Sequence, residues 1–233
     1  MPLSPRLLAV LFVAVTLASA VGAEGVEESG PGPLDPGRPQ VVLVHGIWDT
    51  AAKFRKMAAA LAKDGWQAHA ITLTPNDGSV PLEQSAAQLR SFVDDQLGPD
   101  LPFSMVAFSM GGLVARYYLQ RLDGLARVTR LVTISSPHNG TWPANLESLP
   151  GVAEMRPGSG FLLDLNDDVM RLSAIPVTSI WSPQDLGIQP PESARLPLGA
   201  DVPIPHGMHA LMLSDDRVIR AVLAALHDGN PGG

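Results

Sequence analysis

The sequence predicts an α/β domain built on a mostly parallel sheet with helices on both faces. Three observations predict it. Short runs are apolar throughout, those runs alternate with segments of helical period, and one run turns into a helix at a serine set between small residues. A strand with one wet face alternates apolar and polar residues, whereas a strand covered on both faces reads as continuously apolar. Strand–helix alternation then favours parallel pairing, because each helix carries the chain back to the same end of the sheet.

The elements follow in order. Val41-Val42-Leu43-Val44 is a β-branched run, and residues 51–63 repeat apolar side chains at helical spacing through Phe54, Met57 and Leu61. A second strand is expected over residues 67–73 and a helix over residues 82–97, opened by Pro81. Phe103 to Phe108 is the third strand, and the helix beyond it carries Leu113, Val114, Tyr117 and Leu119. Leu131 to Ile134 and Val177 to Trp181 are further strands, and residues 216–226 form a closing helix. Residues 136–175 lack a strand pattern and are rich in Pro and Gly around one apolar patch, Phe161-Leu162-Leu163 with Leu165. They read equally as a short cap over a site or as a plain connection.

The third strand is the most informative stretch. Ala107-Phe108-Ser109-Met110-Gly111-Gly112 places a hydroxyl at a strand-to-helix turn, which lifts Ser109 out of the sheet and aims the following N–H groups at one point. A nucleophile needs that arrangement, since the same turn presents the attacking oxygen and part of an oxyanion hole. Ala107 stands where the G-x-S-x-G signature has glycine.

The chain has 233 residues, a net charge of −7 and no cysteine. Its length suits one domain with a core that needs no disulfide or metal staple. The negative balance gives no basic footprint for nucleic acid or anionic membranes. Neutral or apolar substrates fit better. Residues 1–23 pair Arg6 with an apolar stretch from Leu7 to Leu17 and small-residue sites at Ala18-Ser19-Ala20 and Val21-Gly22-Ala23. That is the pattern of a signal peptide, with an uncleaved N-terminal membrane anchor as the alternative. Residues 24–39 are Gly-, Pro- and Glu-rich and read as a flexible leader, so the catalytic domain is expected over residues 40–233.

A serine nucleophile requires a base to take its proton and a carboxylate to orient that base. Among six histidines, His209 lies after the last strand-like run and just before the closing helix, while His138 and His206 are loop alternatives. Asp185 follows the Trp181 strand, with Asp201 as its rival. The second oxyanion donor is expected after the first strand, where Gly46 lets the backbone approach and the Ile47 N–H joins that of Met110. Asp215 and Asp216 read as helix-start acids rather than a calcium site, and neither metal nor cofactor is expected.

With these residues in view, the chain resembles the α/β-hydrolases, and in particular the small bacterial triacylglycerol lipases and esterases. The shared motifs are Val44-His45-Gly46, Ser109-Met110-Gly111-Gly112-Leu113-Val114-Ala115-Arg116, Ser136-Pro137-His138-Asn139-Gly140-Thr141, and a D-x-x-I-x-P-x-x-S-A pattern from Asp185 to Ala194. His209 falls where those enzymes carry the catalytic histidine. The resemblance spans residues 41–226 and implies an exported carboxylic-ester hydrolase with Ser109, Asp185 and His209 as its triad. It also implies His45, Gly46, Trp48, Phe108 and His138 as substrate-facing residues. Phe108 stands where those enzymes often have histidine, and Trp48 where many have glycine. A thioesterase or acyltransferase with the same triad is the alternative, and a non-enzymatic binding module is the reading from another class. The expected partner is a small-molecule or lipid ester. Contact with a lipid interface is an option, and the chain is expected to act as a monomer without nucleic acid.

Overall fold

The computed structural model describes residues 32–228. One six-stranded sheet runs in the order β2-β1-β3-β4-β5-β6, with every neighbouring pair parallel. Its strands are β1 (Gln40–Val44), β2 (Gln67–Ile71), β3 (Phe103–Phe108), β4 (Val128–Ile134), β5 (Val177–Trp181) and β6 (Ala200–Pro203). The helices are α1 (Arg55–Lys63), α2 (Leu82–Leu97), α3 (Met110–Arg121), α4 (Pro150–Glu154), α5 (Gly160–Asp167) and α6 (Asp216–His227). This is the α/β-hydrolase architecture.

The continuous apolar runs are explained by two cores, one on each face. Val42, Val44, Met105 and Ala107 face a cluster with Leu89 and Val93 of α2 and Leu113 and Val114 of α3. Their strand neighbours Val41, Leu43, Val106 and Phe108 face the opposite cluster, with Met57 and Leu61 of α1 and Val218 and Val222 of α6. Successive side chains point to opposite faces, so a strand buried on both sides is mostly apolar, and its few polar residues, such as Ser104, Thr133 and Ser179, are buried with it. Each fully buried Leu or Val contributes roughly 1.5–3 kcal/mol. β6 is different. It is one of the two edge strands, largely exposed, and carries Asp201 and Pro203, residues that discourage pairing with another chain.

The helix expected over residues 51–63 starts as a 3-10 turn (Ala51–Phe54) before α1. β4 begins three residues earlier than its apolar run, because buried Arg130 and the Ser104–Thr129 hydroxyl contact (3.1 Å) extend the pairing through polar groups. Residues 32–39, expected as part of the flexible leader, contain no helix or strand and make hydrogen bonds to β2 and its approach. The Gln67 amide donates to the Gly32 and Pro33 carbonyls and accepts from Asp35 N–H at 2.8 Å, and Arg38 donates to the Gly65 and Trp66 carbonyls. Gln67 of β2 captures this backbone and Arg38 of the segment itself grips the approach to β2, so polar contacts stand in for the missing apolar ones. The expected signal peptide and the first part of the leader lie outside the described residues.

Residues 136–175 contain no strand and instead hold a 3-10 turn (Trp142–Leu146), α4, α5 and a second 3-10 stretch (Val169–Ala174). The apolar patch is packed against α3: Phe161 stacks on Tyr117 with ring centroids 5.7 Å apart, and Leu162 and Leu165 are buried. The wholly buried Arg116 secures the segment, donating to the Leu165 carbonyl at 2.6 Å and to Gln120 at 3.1 Å. Burial lowers its pKa to about 10.

Candidate active site

The sheet order reverses direction beside β1, and the carboxyl ends of β1 and β3 open the crevice where ligands of such sheets bind. Ser109 sits between β3 and α3 with φ 54° and ψ −126°, a left-handed conformation that costs a non-glycine residue strain. Neighbouring structure holds it there. Ser109 N–H donates to the Ile134 carbonyl at 2.9 Å, and Gly112 N–H returns to the Ser109 carbonyl at 3.0 Å. A Cβ on Gly111 would come within 2.5 Å of the Val44 and His45 carbonyls, and one on Gly112 within 2.0 Å of the Ser136 hydroxyl. Both glycines are therefore conditions of the elbow's close packing.

The hydroxyl of Ser109 lies 2.9 Å from His209 Nε2, and His209 Nδ1 lies 3.0 and 2.9 Å from the two oxygens of Asp185. His209 opens a 3-10 stretch (His209–Ser214) beyond β6, and Asp185 stands in the turn beyond β5. Asp185 is buried and also accepts from the N–H groups of Gly187 (2.8 Å) and Ile188 (3.2 Å). Burial alone would raise its pKa. The facing His209, by charge and hydrogen bond, together with Gly187 N–H outweighs burial and holds the carboxyl below its ordinary value. The buried Ser135 hydroxyl lies near enough to add to this, though it makes no hydrogen bond of ordinary geometry. An ionised Asp185 fixes the proton on His209 Nδ1 and leaves Nε2 to accept from Ser109.

Gly46 follows β1 and lies against Ser109; a Cβ there would stand 2.9 Å from Ser109 Cβ. Gly46 to Asp49 form a turn closed by Asp49 N–H on the Gly46 carbonyl (3.3 Å), with Trp48 at φ 59°. That turn leaves the Ile47 N–H outside its own hydrogen bond. Met110 is the first residue of α3, so its N–H has no acceptor within the helix.

The other expected site residues separate. Trp48 is 36% exposed beside Ile47. Phe108 is buried and stacks against the His209 ring, centroids 4.8 Å apart. Its position at the end of β3 places it under the imidazole. His138 is wholly buried, with Nε2 3.1 Å from the Thr133 hydroxyl, and offers no surface to a ligand. Burial holds it well below its ordinary pKa. His45 is also wholly buried. Both histidines were expected at the substrate, but each precedes or occupies a tightly packed turn where the ring is turned inward. Asp201, the rival acid, pairs with Arg195 at 3.0 Å on the edge strand. Asp215 caps α6 and pairs with Arg217, and Asp216 pairs with Lys56 at 2.9 Å.

Sequence reasoning missed Ser182. Its buried hydroxyl donates to the His206 carbonyl (2.8 Å) and accepts from His206 N–H (2.7 Å) and Gln184 N–H (3.1 Å). One side chain therefore ties the acid turn to the histidine loop. Thr141 braces the acid turn from the other side, donating to the Gly187 carbonyl at 3.1 Å and accepting from Gln189 N–H at 2.9 Å. A Cβ on Gly187 would come 2.6 Å from the His209 ring, so only glycine lets that turn lie against it. A polar residue directly after an apolar strand was the available signal for Ser182, and it is a weak one.

Similar folds occur among solved structures. The mature form of Bacillus licheniformis lipase BlEst2 superposes with a TM-score of 0.63 at 19% identity, covering 87% of this chain and 96% of that one. A Listeria innocua gene product gives 0.62 at 16% identity, covering 84% and 96%. A lipase-esterase related protein from Clostridium acetobutylicum gives 0.61 at 14% identity, covering 83% and 97%. No curated protein sequence matches the chain. The model of the palmitoyl protein thioesterase family matches residues 40–174, a span that contains Ser109 and ends before Asp185 and His209. This chain, an α/β-hydrolase in its fold, belongs to the palmitoyl protein thioesterase family.

Proposed function

We propose that the protein hydrolyses acyl esters through an acyl-enzyme formed on Ser109. The hydrogen-bonded series Ser109–His209–Asp185 is the observation that carries this reading. Ser109 attacks the carbonyl carbon while His209 Nε2 takes its proton. Asp185 holds the ring and stabilises its cationic form. Ile47 and Met110 N–H groups receive the developing oxyanion, each worth roughly 3 kcal/mol at the transition state. His209 then protonates the departing alcohol, and water repeats the sequence to release the acid.

A second reading, thioester hydrolysis, is favoured by the family match. The same groups serve, but a thiolate leaves more readily than an alkoxide, since a thiol has a pKa near 8.5. Proton return from His209 then matters less. A panel of p-nitrophenyl esters of increasing acyl length, run beside matching acyl thioesters on the wild type and Ser109→Ala, separates the readings. Turnover of the esters that disappears in Ser109→Ala supports the first; turnover confined to thioesters supports the second; turnover persisting in Ser109→Ala would reject both.

The N-terminal pattern of residues 1–23 supports export of a single catalytic domain, with cleavage near Val21 or Glu24. An intact mass that retains Met1 on the mature protein would favour the membrane anchor. Among the described residues no helix is long and apolar enough to cross a membrane.

A further inference from the structure

We propose that His45 is a positioning residue for the oxyanion hole: its buried ring, as the Nδ1–H tautomer, holds the Gly46 carbonyl inward and so turns the Ile47 N–H toward Ser109. The inference rests on the ester- or thioester-hydrolase reading of Ser109 and assigns His45 a different part from substrate contact.

The tautomer follows from the two partners. Leu73 N–H, a donor only, points at His45 Nε2 at 2.9 Å, so that nitrogen accepts. A neutral ring then carries its proton on Nδ1, which lies 2.7 Å from the Gly46 carbonyl, an acceptor only. The two bonds allow one protonation state. A cationic ring would set two donors against each other at Leu73, and burial lowers the pKa of the ring, with the same result.

The link to the oxyanion is covalent. The Gly46 carbonyl and the Ile47 N–H belong to one planar peptide and point in opposite directions if the bond is trans. Fixing the carbonyl toward the core fixes the N–H away from it, and Gly46 itself stands beside Ser109, where an added Cβ would lie 2.9 Å from Ser109 Cβ. Asp49 N–H, also on the Gly46 carbonyl, reinforces that plane, and Trp48 N–H on the Asn76 carbonyl at 2.7 Å holds the far side of the turn. Trp48 at φ 59° shows the turn kept in a conformation its residues would not choose alone. Without the imidazole, the peptide loses one of its two holds on the inner side.

Two substitutions separate positioning from packing. Asparagine places an amide N–H where His45 Nδ1 stands and reaches no further, so His45→Asn keeps the bond to Gly46 and loses that to Leu73. Glutamine places its oxygen near the position of Nε2, so His45→Gln keeps Leu73 and loses Gly46. Kinetics with a dissolved p-nitrophenyl ester should show His45→Asn within about tenfold of wild-type kcat. His45→Gln should fall by about 10²-fold, the scale of one lost oxyanion donor, with KM changed far less. Inhibition by a boronic acid, which forms a tetrahedral adduct, should weaken in the same order. Equal kcat losses in both variants, or none in His45→Gln, would overturn the inference. A wild-type measurement stands apart from any folding defect: 15N NMR of the histidine rings should show His45 neutral with its proton on Nδ1, and a proton on Nε2 would overturn it. A fluorophosphonate probe that fails to label Ser109 in the wild type would overturn the hydrolase reading instead, and would do so whatever the tautomer.

Discussion

The two halves of the candidate site are held by different forces. The half that carries the proposed nucleophile, built on β1 and β3, lies in the middle of the sheet and is fixed by the close packing of glycine backbone against its neighbours. Gly46, Gly111 and Gly112 each stand where a methyl group would collide with a neighbour. The acid–base half hangs from β5 and the exposed edge strand β6, and polar side chains hold it: Ser182, Thr141 and Asp185 itself. A packed backbone has no alternative arrangement nearby, whereas a loop tied by single hydrogen bonds moves when one is cut. Apart from the His45 hold on Gly46 and the close packing of Gly187 on His209, the first half should therefore break chiefly when atoms are added and the acid–base half chiefly when a hydrogen-bonding group is removed.

The largest effect expected is at Asp185. Asp185→Asn keeps the shape but removes the charge that selects the His209 tautomer, and kcat should fall by about 10⁴-fold with the thermal midpoint little changed. Asp201→Asn, at an exposed ion pair, should leave kcat within about twofold and stability within ~0.5 kcal/mol. The reverse outcome would place the acid on the wrong strand end.

Gly46→Ala adds one methyl 2.9 Å from Ser109 Cβ, so the oxyanion turn must retreat. A loss of about 10²-fold in kcat is expected from a displaced donor. Ester kinetics at saturating substrate would read it, and an unchanged kcat would mean this half is not held by close packing.

Ser182→Ala should act less on rate and more on stability. It leaves the N–H groups of His206 and Gln184 without their acceptor, at a cost of about 1–3 kcal/mol. The freed histidine loop should lower kcat by roughly tenfold, within reach of the cost of small misplacements. Chemical denaturation and kinetics on one preparation check both, and a stable variant with full activity would remove the clamp from the account.

The smallest effect lies outside both halves. Glu154 on α4 accepts from Leu82 N–H at 2.6 Å, and burial, with Glu83 beside it, raises its pKa to about 7. In the folded protein it binds a proton that the unfolded chain releases near pH 4.5. Its contribution is thus present in full below that pH and lost as pH rises through about 7. Glu154→Gln should flatten this part of the stability profile between pH 5 and 8 while kcat stays near wild type. Melting curves across that range test it, and parallel curves for the two proteins would contradict it.

What the sequence revealed follows the same division. Strands β1, β3 and β5 are legible because covering both faces makes most of their residues apolar, helix α2 because its apolar residues recur at helical spacing, and the elbow because its glycines are sterically required. β6 carries no apolar signature, since an edge strand needs none. The burial of Phe108 and His138 was not legible, because an apolar or imidazole side chain in such a motif looks alike in sequence whether it faces the cleft or supports it from beneath. Ser182 was missed since its role lies chiefly in two bonds to His206, far along the chain, beside one to nearby Gln184. Residues 32–39 read as loose because composition registers burial and not the reach of Gln67 and Arg38.

The central claim, that Ser109 is the nucleophile and His209 with Asp185 its activating pair, is tested most directly by labelling with a fluorophosphonate and mapping the modified peptide by mass. The account predicts one adduct, on Ser109, formed quickly in the wild type and slowed by orders of magnitude in Asp185→Asn. Label on another serine, or equal rates in the two folded proteins, would contradict it.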